Sequence, residues 1–278
     1  MVASIEYYSI VVAMGILGLS AVFLLVGSTR GQAASAEKPA GILNGVASLG
    51  LLLKILGLVL LTASLAARAA ITGHGPFSNM YEFCLAFAWG ILMVSIFFWW
   101  RHQTNVVNAF SVVLATGLLV IAYFLPSRHA PLVPALQQSF LLSSHVAAAA
   151  VAYGSFAMGF VSALLYVWQQ RHLSPRLPRL EVLDDISHHA VIIGFPFMTL
   201  VIVLGALWAD VAWGRYWGWD PKETVSLVTW LIYAAYLHAR ILRGWRGTRA
   251  AVLLIVGFCA VLFTFFGNYV FSGLHSYL

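Results

Sequence analysis

Eight stretches of this chain, at about residues 7–27, 45–70, 82–100, 105–125, 142–168, 188–208, 224–241 and 250–271, are apolar over close to the length that crosses a bilayer. About 20 predominantly apolar residues span the hydrocarbon core, and in lipid every backbone N–H and C=O must be paired within its own segment, so runs of this kind are helical. The expected fold is therefore all-α: a polytopic integral membrane helix bundle of about eight transmembrane helices. Composition agrees, with 62% hydrophobic and 9% charged residues, against roughly 25% charged in a soluble domain. No repeat, low-complexity tract or soluble domain interrupts the runs, and residues 1–278 read as a single membrane domain. The longest polar connector, RHLSPRLPRLEVLDDIS at about 171–187, reads as either a loop or an amphipathic helix on one membrane face.

The net charge of +6 does not point to nucleic acid, because the positive residues lie in short loops between apolar runs, where they orient helices. If the loops after the first, third, fifth and seventh runs face the cytoplasm, that side holds ten basic residues: Arg30, Lys38, Arg101, Arg171, Arg176, Arg179, Arg240, Arg243, Arg246 and Arg249. The opposite side holds four, Arg68, Arg128, Arg215 and Lys222, while Lys54 falls inside the second run. The asymmetry places both termini outside. The first run is expected to be retained rather than cleaved as a signal peptide, because no basic residue precedes it. Cys84 and Cys259 lie far apart in apolar runs, with neither a CxxC pair nor a CxxCH site, which argues against a disulfide exchanger or a c-type cytochrome.

The outer side receives the most unusual segment, WADVAWGRYWGWDPKET at 208–224, which carries four of the ten tryptophans: Trp208, Trp213, Trp217 and Trp219. Such a cluster either anchors helices in the interface or forms a flat platform for a planar aromatic ligand. His145, at the outer start of the fifth helix, and His275, after the eighth, come to the same level. Two neutral imidazoles on opposite sides of an aromatic shelf suit six-coordinate haem iron. The faces of Trp208, Trp213, Tyr216, Trp217 and Trp219 would pack on the macrocycle, and Arg215 or Lys222 would meet its propionates. Each histidine taken alone also reads as an interfacial polar residue. Asp220-Pro221-Lys222-Glu223 reads as a helix start: an acidic N-cap, proline at the first position and glutamate three residues on. A fixed start would hold the loop rigid, as a preorganised platform needs.

His238 lies in the inner half of the seventh helix. An ionisable residue there is a functional-site candidate, and a histidine snorkelling beside Arg240 is the other reading. As a haem ligand it would need a second one. His188 and His189 follow Asp184 and Asp185 and look like a charged helix start, so a missing ligand would point to a partner subunit. Glu82 suits a helix N-terminus through the dipole alone, or lines a haem or partner surface with Asn79 and Tyr81. Lys54 is either paired inside the bundle or turned to a partner.

The runs WGRYWGWDPKETVSLVTWLIYAAYLHAR, SFLLSSHVAAAAVAYGSF and GNYVFSGLHSYL together resemble the CcsA (ResC) family of cytochrome c biogenesis proteins, which belongs to the haem-handling WWD superfamily. The resemblance covers most of 135–278, with GPFSNMYEF at 75–83 as weaker support. It implies that haem b sits on the WWD loop between His145 and His275, and that His238 is the membrane histidine. It further implies a CcsB (ResB)-type partner subunit, an apocytochrome c bearing CxxCH, an external thiol-reducing pathway, and a system II synthetase activity exerted by positioning. The setting would be a bacterial plasma (inner) membrane, or a thylakoid equivalent, with the loop on the outer side. Where the family often has WDPKETW, this chain has Val225 after Thr224, one aromatic wall position fewer. Two other classes stay open: a b-type haem electron carrier, and a transporter or scaffold without haem whose tryptophans form an interfacial belt.

Overall fold

The computed structural model describes residues 2–31, 41–127 and 139–267. Eight helices are found there: α1 (Val2–Gly31), α2 (Gly41–Thr72), α3 (Met80–His102), α4 (Asn105–Phe124), α5 (Ser139–His172), α6 (Leu180–Trp213), α7 (Pro221–Leu242) and α8 (Thr248–Phe266). All eight are long and apolar enough to cross a membrane. The chain is thus all-helical and polytopic, as its apolar runs predict.

Helix α5 forms the axis of the second half of the bundle, packing along α6 and against α3 and α8, while α7 lies on α8 and α6. Its apolar stretch is 78% buried, against 22% for that of α7. Position explains the difference, since α5 has neighbours on several sides and α7 lies at the edge; without a hydrophobic force between helices in lipid, small residues that allow close backbone approach supply packing energy at the crossings. At the α3–α5 crossing a Cβ on Gly90 would lie 2.3 Å from the Ala150 carbonyl oxygen, and one on Gly154 would lie 2.6 Å from that of Gly90. The two backbones touch there, and a side chain on either glycine would force them apart.

In the first half, α1 packs on α2 and α4, and α3 on α4. Arg68, fully buried near the end of α2, donates to Glu6 of α1 at 2.6 Å and to Glu82 of α3 at 2.5 Å, and reaches the Ser127 carbonyl at 3.2 Å. Glu82 also accepts from the Ser78 amide at 2.5 Å. Glu82 is therefore an internal strut rather than a surface residue, and Arg68 belongs to a helix rather than to an outer loop. The α3 start is capped by Asn79, whose Oδ1 accepts from the Glu82 amide at 3.0 Å. Lys54 is fully buried and donates to Oδ1 of Asn108 on α4, so it is paired inside the bundle.

The 171–187 connector resolves into two parts: a turn around Pro175–Leu177 and the first turns of α6, which begins at Leu180 rather than near 188. Leu183, Ile186 and Ala190 are spaced along one face of the helix and are fully buried. That stripe is helical despite the charges that break the apolar run. Asp184, on the same stretch, takes a bidentate pair from Arg240 of α7 at 2.6 and 2.8 Å.

Candidate functional site

The tryptophan loop is closed at both ends by recognisable devices. Helix α6 ends at Trp213, where Gly214 takes a left-handed φ of 70° and its amide donates to the Asp210 carbonyl at 2.8 Å, a conformation that glycine adopts without strain. Helix α7 begins with the capping box read from the sequence, Asp220 Oδ1 accepting from the Lys222 amide at 2.9 Å. The Glu223 carboxylate accepts from the Gly218 amide at 2.8 Å and from the Asp220 amide at 3.2 Å. These two amides flank Trp219, whose φ of 55° is unusual for a bulky residue. Glu223 thus ties down both sides of a strained residue, and the Trp219 ring stands 70% exposed.

The four tryptophans do not form one flat shelf. Trp208 and Trp213 meet edge to face, with ring centroids 4.8 Å apart at 70°, and Trp217 and Trp219 do so at 5.8 Å and 88°. Trp208 is buried against Ala86, Leu142 and Val146, where it acts as a pillar under the loop. Tyr216 and Trp219 face outward, while Trp213 and Trp217 are half-buried. Arg215 is exposed and lies over Gly218, where a Cβ would come within 3.0 Å of its Nε.

Beneath the loop a recess of about 60 Å³ is lined by His145, Tyr153, Trp208, Tyr216, Trp217 and Lys222. His145 is half-buried on α5, and its Nδ1 meets the Val201 carbonyl of α6 at 2.9 Å. Donation from Nδ1 to a carbonyl fixes the tautomer with its lone pair on Nε2, the arrangement that prepares a histidine as a metal ligand. The ring rests on Gly205, where a Cβ would come within 3.0 Å of Cε1 and 3.2 Å of Nδ1.

The structure thus brings together His145, Trp208, Tyr216, Trp217 and Lys222 around one recess, with Trp213, Arg215, Trp219 and Asp220 in the loop above and beside it. His275 lies outside the described residues. His238 is not part of this group: it sits exposed on α7, in line with the exposed Val228, Leu231 and Leu242. Sequence reasoning read Glu223 only as part of the helix start and not as the acceptor of the Gly218 amide, and it passed over Gly205 and the Val201 carbonyl as the seat of His145 and Tyr153 in the wall. A lone glycine in the apolar run VIVLGALW was a visible signal; a backbone carbonyl leaves none.

A multi-pass helical membrane protein with an aromatic, histidine-bearing recess at one end of its bundle is the class that these features define. A family model described as cytochrome c assembly protein matches residues 77–275, and the chain belongs to that family. The cytochrome c biogenesis protein CcsA of Guillardia theta is 36% identical over 253 residues, covering 80% of this chain and 83% of the relative. The CcsA proteins of Porphyra purpurea, at 33% over 283 residues (84% and 88%), and Prochlorococcus marinus (strain MIT 9312), at 35% over 260 residues (81% and 83%), are similar along comparable lengths. Among solved structures, the cytochrome c heme lyase CcmF has the same fold, with a TM-score of 0.71 at 16% identity, covering 96% of this chain and 47% of that one. The role of the chain is in cytochrome c biogenesis.

Proposed function

We propose that this protein presents haem b at the outer membrane face for covalent attachment to the CxxCH thiols of an apocytochrome c, as the CcsA component of a system II synthetase working with a CcsB-type partner. The observation that carries the proposal is His145, held by the Val201 carbonyl in the tautomer that offers Nε2, at the wall of a recess topped by Tyr216 and Trp217. His145 and His275 would take the two axial positions of the iron. The exposed Tyr216 and Trp219 rings give the macrocycle apolar faces to lie on, and Arg215 and Lys222 supply cations for its propionates.

Thioether formation adds each cysteine S–H across a vinyl C=C, so atoms balance with no net oxidation, provided that the thiols arrive reduced. Cys84 is buried in α3 and Cys259 is exposed in α8, so neither makes a dithiol pair in the described residues, and reductant comes from a separate thiol-reducing pathway. The contribution of the chain is positioning, which is worth several kcal/mol when reacting groups are held in near-attack geometry. His238, on the exposed face of α7, would accept haem arriving from the inner side, with its second ligand on the partner subunit. The single membrane domain of residues 1–278 and the outward orientation of both termini belong to the same proposal.

The test is a pyridine-haemochrome and visible spectrum of the purified chain, with and without its partner. Co-purifying b-type haem that falls at least ten-fold in His145→Ala, with imidazole restoring it, supports the proposal. Full occupancy in both His145→Ala and His275→Ala would remove it.

A further inference from the structure

At the end of α6 remote from the tryptophan loop, a second group of ligating side chains has no part in haem presentation. His102, in the last turn of α3, and Asp185 and His189, one turn apart on α6, each offer a ligand atom, and the three atoms lie within 4.8 Å of one another. Asp185 Oδ2 is 3.8 Å from His102 Nδ1, and its Oδ1 is 3.3 Å from His189 Nδ1. We propose that His102, Asp185 and His189 hold a first-row divalent cation of the zinc class, clasping the ends of α3 and α6.

The donor set fits that class. Two imidazoles and one carboxylate are borderline ligands that suit zinc and ferrous iron rather than calcium or magnesium. Tetrahedral zinc with bonds of about 2.0–2.2 Å sets its ligand atoms roughly 3.3–3.5 Å apart. The three ligand atoms, within 4.8 Å of one another, would close by up to about 1.5 Å, and His189, whose Nδ1 meets the Asp185 carbonyl at 2.9 Å, would turn to offer a ring nitrogen. Asp185 is 51% exposed and His189 is 43% exposed, while His102 is held at 10% by stacking on Phe98 at 6.0 Å and 10°. A rigid anchor with two adjustable arms, open to water on one side, leaves room for a fourth, exchangeable ligand.

Three surrounding facts isolate these residues as a set. Asp184, the neighbouring carboxylate, is committed to the bidentate pair with Arg240, so Asp185 is the carboxylate left for the histidines. His102 turns its Nδ1 to Asp185 at 3.8 Å, while its Nε2 is buried on the other side of the ring. His188 points elsewhere, its ring meeting Tyr236 at 6.3 Å. Helices α3 and α6 otherwise touch only sparingly, so a cation here would join elements that packing leaves loosely connected. The 1.5 Å rise of a helix separates His189 from Trp213 by roughly 36 Å, too far for the two sites to share a ligand.

The experiment uses the tag-free, detergent-purified chain after chelator treatment, titrated with Zn²⁺ and, as a spectroscopic probe, Co²⁺. The expected result is one Zn²⁺ per chain by elemental analysis, a visible Co²⁺ ligand-field band that Zn²⁺ abolishes, and a Tm that rises with Zn²⁺. His189→Ala and Asp185→Asn should each weaken binding at least ten-fold while keeping the metal-free Tm, because both side chains are half exposed. His172→Ala, on an exposed histidine outside the set, should bind as wild type does. Zn²⁺ stoichiometry and affinity unchanged in both variants, or no saturable binding to the wild type, would overturn the proposal. The haem content of these variants should stay at the wild-type level. A loss there would count against the separation of the two sites.

Discussion

His145 is a ligand candidate because of what holds it, and the hold can be weakened without touching the imidazole. Gly205→Ala places a methyl 3.0 Å from Cε1, which pushes the ring away from the Val201 carbonyl. Loss of an orienting contact of this kind typically lowers metal affinity 10–100-fold. Haem retained by Gly205→Ala should therefore fall between wild type and His145→Ala, and imidazole should restore less than in His145→Ala, because the displaced ring still crowds the site. Difference spectra of the three preparations decide it. Glu223 poses the parallel case in the loop. Glu223→Ala removes the acceptor of two backbone amides and half of a capping box, a loss of about 1–2 kcal/mol at the α7 start. Trp219 then loses its reason to stay at positive φ. Protease cleavage within 214–220 should accelerate several-fold, whereas Glu223→Gln, which keeps one acceptor oxygen, should remain close to wild type.

Among the elements, the buried Arg68 network is the first half's counterpart of the α3–α5 glycine contact. Arg68→Leu leaves Glu6 and Glu82 facing each other in a dry interior, and breaking such a buried pair costs about 3–5 kcal/mol. The variant should be recovered at much lower yield and melt earlier, whereas Tyr81→Phe, which keeps the ring beside the guanidinium and removes only the hydroxyl's hydrogen bond to Glu6, should lose distinctly less. The elements also show why some boundaries were legible and others were not. The start of α7 could be read from Asp220-Pro221-Lys222-Glu223 because capping is local chemistry between neighbours. The start of α6 could not, because Glu181, Asp184 and Asp185 break the apolar run, and they are tolerated only where Arg240, from a helix 56 residues away, answers one of them. Lys54 and Glu82 were ambiguous for the same reason, since their partners Asn108 and Arg68 lie on other helices. The site divides likewise. Histidine and tryptophan types announced it, but the splitting of four tryptophans into two edge-to-face pairs depends on which of them the α3–α5 core buries.

For the molecule as a whole, the division of labour rests on orientation, and that rests on loop charge. Basic residues outnumber acidic ones on the connectors 171–179 and 240–249, while on the tryptophan loop and its capping turn Arg215 and Lys222 are matched by Asp220 and Glu223. In the proposed orientation the positive-inside bias would put the former in the cytoplasm and the latter outside. Because α6 begins beside the first connector and ends at Trp213, one helix would then link the proposed cation clasp on the inner side to the proposed haem platform on the outer side. Cysteines introduced singly as Arg215→Cys and Arg176→Cys, both exposed, in a chain with Cys84 and Cys259 replaced by serine, test the arrangement. An impermeant maleimide applied to intact cells should label the first and reach the second only after permeabilisation. Labelling in the reverse order would put the recess on the side where haem is made, and the chain would then receive haem at His145 and not deliver it there.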